Sequence, residues 1–146
     1  MSNVVTDEAK KSLIAGSTGE IDFIVDTIKA MLCSSTYSPA RGNQFIDEGG
    51  ASDPVDARIA GTTDQTLTGK VIGKDTTTGF GYLDANDPVW TAVASGTVAK
   101  VVIYKDTGTP TTSKILCSLD VSVTANGGDI TVQFATPANG GIMKNT

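Results

Sequence analysis

From Ile115 to Thr124 the side chains alternate. Ile115, Cys117, Leu119, Val121 and Val123 fall on one side, and Leu116, Ser118, Asp120, Ser122 and Thr124 on the other. A period of two marks a strand with one apolar face. The apolar run "VAKVVIYK" (98–105) precedes it, and the Thr-rich segment "KDTGTPTTSK" (105–114) joins the two as a hairpin loop facing solvent or a sister subunit. Further strands are expected at "TLTGKVIGK" (66–74), "PVWTAVA" (88–94) and "DITVQFA" (129–135). Asn126-Gly127 is a tight-turn signal ahead of the last of these. "IDFIVDTIKAMLC" (21–33) fits a helix face or two strand pieces out of phase, and a strand is favoured over 27–33. The terminal "GIMKNT" is expected to be frayed or docked.

Two segments break this pattern. "TDEAKKSLIAG" (6–16) reads as one short helix, with Thr6 as cap, Asp7 and Glu8 at its positive end and Gly16 as its stop. Residues 1–20 therefore form a short helical arm, too small to stand alone, that docks on its own domain or on a neighbour. Residues 38–65 form an irregular excursion with two prolines and Gly49-Gly50, pinned by Phe45 and Ile46. Long irregular stretches in compact domains tend to be functional or mobile, so this excursion is the first candidate contact surface. The expected architecture is all-β: a single-domain antiparallel β-sandwich or small barrel over 21–146, carrying the N-terminal arm.

Composition narrows the function. The chain has 146 residues, 16 glycines and only 18% charged residues, which suits a β domain with many turns. Its net charge is −5 and its basic residues are scattered, so no nucleic-acid partner is expected. No apolar run reaches membrane length, so no membrane partner is expected. No apolar core follows Lys10-Lys11, so no signal peptide is expected and synthesis is expected in the cytoplasm. Cys33 and Cys117 read as two small buried hydrophobes, with a disulfide as the alternative.

Catalytic readings find little support. The chain has no histidine, hence no Ser-His or Cys-His pair. Gly79 and Gly81 in "TTTGFGY" lack the rest of a phosphate-binding fingerprint and read as a turn. Asp84, Asn86 and Asp87 resemble the opening of a calcium loop, but the glycine and closing glutamate are missing and turn formation before Pro88 is favoured. Paired carboxylates for glycoside hydrolysis have no sequence signature to show or exclude them. The expectation is a non-enzymatic protein with no cofactor and no metal. Trp90 fits the core beside Val89 and Val93, or a subunit interface, where tryptophan is enriched.

Three stretches fall together in order: "DTIKAMLCSSTYSP" (26–39), "QTLTGKVIGKDTTTGFGYLDANDPVWTA" (65–92) and "VVIYKDTGTPTTSKILCSLDVSVTANGGDITVQF" (101–134). Together they resemble a family of small structural proteins of tailed-bacteriophage particles. That pattern runs through an Asp-Thr-Ile-Lys strand, a Tyr-Thr/Ser-Pro turn, a Leu-Thr-Gly-Lys strand, an Asp-x-x-Trp strand, an Ile-Tyr-Lys-Asp-Thr-Gly strand and a closing hairpin. The chain departs from it at "RGNQFIDEGG" and "IAGTTDQ". The resemblance implies a virion protein made in the host cytoplasm. The favoured role is a capsid decoration (cement) protein on the capsid exterior, forming a homo-oligomer, a trimer, and clamping the phage major capsid protein. The expected partner-binding residues are Val4, Val5, Leu13 and Ile14 of the arm, Arg41, Phe45, Ile46 and Arg58 of the excursion, and Trp90. The alternative is a tail, neck or fibre-base component, or a module binding host-surface glycans.

Overall fold

The computed structural model describes residues 4–15 and 20–145, side chains excepted at 13–15 and 145. Among the described residues strands predominate over one short helix, and the sheets are antiparallel and not closed. The fold is thus an all-β sandwich with a short N-terminal helix, and not a barrel.

The elements in chain order are β1 (Val4–Val5), α1 (Asp7–Ala15), β2 (Ile28–Cys33), β3 (Gln65–Thr66), β4 (Val71–Asp75), β5 (Phe80–Asp84), β6 (Val89–Trp90), β7 (Thr97–Lys105), β8 (Ile115–Thr124), β9 (Ile130–Thr131) and β10 (Met143–Asn145). A central sheet runs β1-β8-β7-β2-β3. Two small sheets, β10-β5-β4 and β6-β9, supply apolar side chains to one of its faces. That face carries Ile28, Ala30 and Leu32 of β2, Val101 and Ile103 of β7, and Cys117 and Leu119 of β8, packed with Leu83, Trp90 and Ile130 from the small sheets.

The other face is also covered. Met31, Cys33, Val102, Tyr104 and Ile115 pack against Tyr37, Ile46 and Ala57. The excursion is therefore a third layer over the central sheet, not a loose loop. Burial on both faces explains why "IKAMLC" shows no clean alternation, since no position of that strand faces water freely. The excursion's own turn is fixed by Asp53, which is buried and accepts from the amides of Glu48 and Gly50, both at 2.8 Å.

Several sequence expectations change. Between the pairs Ile103–Cys117 and Tyr104–Ile115 the register slips by one residue, leaving Leu116 as the extra residue of a bulge in β8. The alternation of Cys117, Leu119, Val121 and Val123 holds, but Ile115 turns to the excursion side and Leu116 joins the main core. "TLTGKVIGK" is two strands in two sheets, not one. It breaks at Gly69, whose φ of +61° leaves the extended region, and the Asn86 side chain 2.6 Å from an ideal Cβ leaves no room there for a side chain. Gly79 does lie in a turn with positive φ, but Gly81 sits inside β5, a strand the turn-rich sequence concealed. "PVWTAVA" keeps only β6, because Ala92 adopts φ 50° while its amide donates to Asp129 Oδ1. The C-terminus is docked: β10 pairs with β5.

The arm docks on its own domain. Val4 and Val5 pair with Ser118 and Cys117 at the edge of β8. Thr6 caps α1 as expected, accepting from the Ala9 amide at 3.1 Å. It also reads the bulge: its hydroxyl donates to the Ile115 carbonyl (2.9 Å) and its amide to that of Leu116 (3.3 Å). Lys114 Nζ then joins Glu8 of α1 (3.0 Å) to Glu20 (3.1 Å). The Ser12 hydroxyl bond to Glu20, and secondly Lys114, hold that carboxyl below the usual range. The expected helix stop, Gly16, lies outside the described residues.

Candidate functional site

The residues named from the sequence do not converge on one outward surface. Val4 and Val5 are half-buried and committed to β8. Leu13 and Ile14 belong to α1, and their side chains lie outside the described residues. Arg41 is exposed and bonded to Asp7 Oδ1 at 3.1 Å, a surface pair that contributes little to stability. Phe45 is half-buried and bridges Lys114.

Two of the expectations, Ile46 and Trp90, need correction. Ile46 is 2% exposed and buried in the excursion-side cluster, because its function is to hold that layer down. Trp90 is also 2% exposed, in the main core on the opposite side of the central sheet, so of its two readings the core one holds and the interface one does not. Arg58 is exposed but engaged: its Nη2 and Nε donate to Asp64 at 2.8 and 3.1 Å, and Tyr104 donates to the same carboxylate at 2.7 Å. This fork pins the end of the excursion to β7.

The loop carboxylates have structural tasks as well. Asp84 accepts from the Ala85 amide and Asp87 from the Phe134 amide, while Asn86 donates to Thr68. Among the described residues no group of His, Cys, Asp and Glu is placed to hold a metal ion. Cys33 and Cys117 are free thiols buried on opposite faces of the central sheet, so they do not pair. No helix of the described residues is long and apolar enough to cross a membrane.

The outward feature lies elsewhere. Five large apolar side chains are exposed among the described residues: Ile24 (45%), Val25 (79%), Val71 (48%), Ile72 (57%) and Val89. The first four lie on two segments, the turn before β2 and the start of β4, that a Lys70 hydrogen bond ties together. Ile24 and Val25 sit on the turn before β2, whose Phe23 is anchored in the core. Asp22 Oδ1 accepts from the amides of Ile24 (3.0 Å) and Val25 (3.1 Å), and Asp26 Oδ2 accepts from the Asp22 amide (2.7 Å). Lys105 pairs with Asp26 at 2.9 Å, so the turn is braced from β7 as well. Val71 and Ile72 open β4, and Lys70 just before them donates to the Asp26 carbonyl, tying this strand to the turn. A braced turn and a strand start tied to it thus expose two aliphatic side chains each, those of β4 on opposite faces of the strand.

Charge adds to this. Of eleven basic residues, eight lie within ion-pair distance of a carboxylate. The remaining three, Lys70, Lys74 and Lys144, have no carboxylate partner among the described residues, and all belong to the β10-β5-β4 sheet or its entry. Lys144 lies 5.2 Å from the Phe80 ring centroid. β4 is the outer strand of that sheet, and no strand of the described residues pairs with its far edge. Tyr82 lies across Gly73, where an added Cβ would come 2.3 Å from the ring, so the middle of β4 admits no side chain.

The sequence carried a faint signal for this margin. Val71 and Ile72 are adjacent in a strand and so point to opposite faces; both are exposed only where neither face is fully covered. Compared with known proteins, the chain matches no family model, no curated protein and no solved structure.

Proposed function

We propose that this protein is a bacteriophage virion structural protein, a capsid decoration (cement) protein that binds the major capsid protein lattice from the capsid exterior. The single observation that supports the reading best is the aliphatic margin of Ile24, Val25, Val71 and Ile72, held on a braced turn and an outer strand. Large aliphatic side chains exposed on two segments that are tied together favour an interaction role for this region. Its pre-organised backbone lowers the ordering cost of binding. The role needs no chemistry: contacts that exist only in the assembled shell stabilise that shell by mass action, and repetition over a lattice multiplies weak contacts. The order of sequence motifs supplies the phage context. The arm and the excursion cover the protein's own core, which favours the margin of the small sheet as the contact surface.

The test is co-pelleting with emptied, undecorated phage heads. Saturable binding at a fixed ratio to capsid protein is expected. Val25→Asp and Ile72→Asp are each expected to weaken it by about tenfold or more while leaving the fold intact, since both side chains are exposed. Truncating the arm is a poor probe, because Thr6 and Ala9 are buried. Absence of binding to heads at any concentration would overturn the reading in favour of a tail component or a glycan binder.

A further inference from the structure

We propose that the far edge of β4 receives an extended segment of the partner as an added strand, and that this segment alternates acidic and apolar side chains. The proposal rests on the docking reading above and names the chemistry of the contact. Strand addition needs three things: unpaired backbone groups along an edge, side-chain sites at alternate positions, and matching charge. β4 has all three. It ends the order β10-β5-β4, with no further strand of the described residues beside it. Ile72 and Lys74 share one face by alternation, and Lys70 stands one step before the strand in the same phase. The edge therefore reads cation, aliphatic, cation, and its complement is acid, aliphatic, acid. These two lysines have no carboxylate partner among the described residues, in a chain that pairs eight of its eleven basic residues. Lys70 donates to the Asp26 carbonyl, which orients it without neutralising it. The same hydrogen bond ties Lys70 to the turn that exposes Ile24 and Val25.

A second copy is the less suitable occupant. A two-fold pairing of β4 with itself centred on Ile72 sets Lys70 opposite Lys74 twice. Centring it on Gly73 sets Ile72 against Lys74. Lysines on an exposed edge discourage such self-pairing, while an acidic strand turns the same charges into attraction.

The probe is the peptide Ser-Glu-Val-Ile-Thr-Glu-Ser, compared with its Lys-Val-Ile-Thr-Lys counterpart, titrated into the ¹⁵N-labelled full chain. Amide shifts and slowed exchange confined to residues 71–75 are expected with the acidic peptide only. Lys74→Glu, whose side chain makes no ion pair within the described residues, is expected to weaken the acidic peptide about tenfold. Lys70→Glu/Lys74→Glu is expected to reverse the preference. No perturbation at millimolar peptide, equal binding by Lys74→Glu, or concentration-dependent pairing of β4 with itself would each overturn the proposal. Head co-pelleting separates it from the reading it rests on. Heads bound equally by wild type and Lys74→Glu overturn the added strand and leave decoration standing. Peptide binding without head binding does the reverse.

Discussion

Replacing Trp90 with alanine is expected to cost about 3–5 kcal/mol, a large part of the roughly 5–15 kcal/mol that holds a domain of this kind together. Trp90 is the only tryptophan and one of the largest fully buried side chains. It lies in the core that joins β6 and β9 to the central sheet. Its surroundings come from several elements and cannot collapse onto a missing indole without moving a sheet. Trp90→Phe is a different case. The indole Nε1 is buried with no hydrogen-bond partner among the described residues. Phenylalanine removes that uncompensated donor while leaving a smaller void, and the two effects oppose each other at about 1–3 kcal/mol apiece. A net change within about 1 kcal/mol is expected. Urea unfolding of the two variants checks this. If Trp90→Ala unfolds at the wild-type midpoint and changes only association, the tryptophan is an interface residue and the core assignment is wrong.

What the sequence disclosed follows from how far each signal reaches. The β7-β8 hairpin was legible because Cys117, Leu119, Val121 and Val123 keep a period of two and face one continuous core. Thr6 was legible as a cap because capping is settled within three residues. The bulge at Leu116 was not, because the run "KILC" is apolar on both sides of it and hides a change of face. β1 and β3 each have two residues, too few for any period. The excursion looked like a contact surface because it lacks regular structure. Its irregularity instead reflects its position over the second face of the central sheet, where Tyr37, Ile46 and Ala57 need fixed places but no common period. The exposed aliphatic margin depends on how the turn at 22–26 and the start of β4 are tied through Lys70 and Asp26, which are far apart in the chain. No local pattern encodes that meeting.

Alkali is expected to weaken this fold steeply once the pH passes the ordinary thiol range. Cys33 and Cys117 are both 0% exposed. Burial pushes both thiols up from 9.0 to about 12, for Cys33 with a further contribution from Asp64 nearby. The sign follows from proton linkage. Below pH 9.0 the thiols are neutral in both states and their burial stabilises the fold fully. Above it the unfolded chain loses protons that the folded chain keeps, so stability falls until the folded thiols themselves ionise at about 12. One pH unit above the ordinary value is worth about 1.4 kcal/mol per thiol, so the pair removes about 3 kcal/mol by pH 10. Tyr37 and Tyr104 act in the same direction from 10.0 upward: burial raises both, and Tyr104 is raised further because its hydroxyl donates to Asp64. Urea midpoints measured under reducing conditions are therefore expected to be flat from pH 7 to about 8.5 and to drop steeply by pH 10. Cys117→Ala is expected to be less stable than wild type at pH 7, where it loses packing, and to show a shallower alkaline slope, because one thiolate no longer forms on unfolding. Equal slopes in the two proteins would mean that the thiols do not govern the transition and that the tyrosines do. In that case Tyr104→Phe, which removes the proton and leaves Asp64 to Arg58, is the variant expected to flatten the curve.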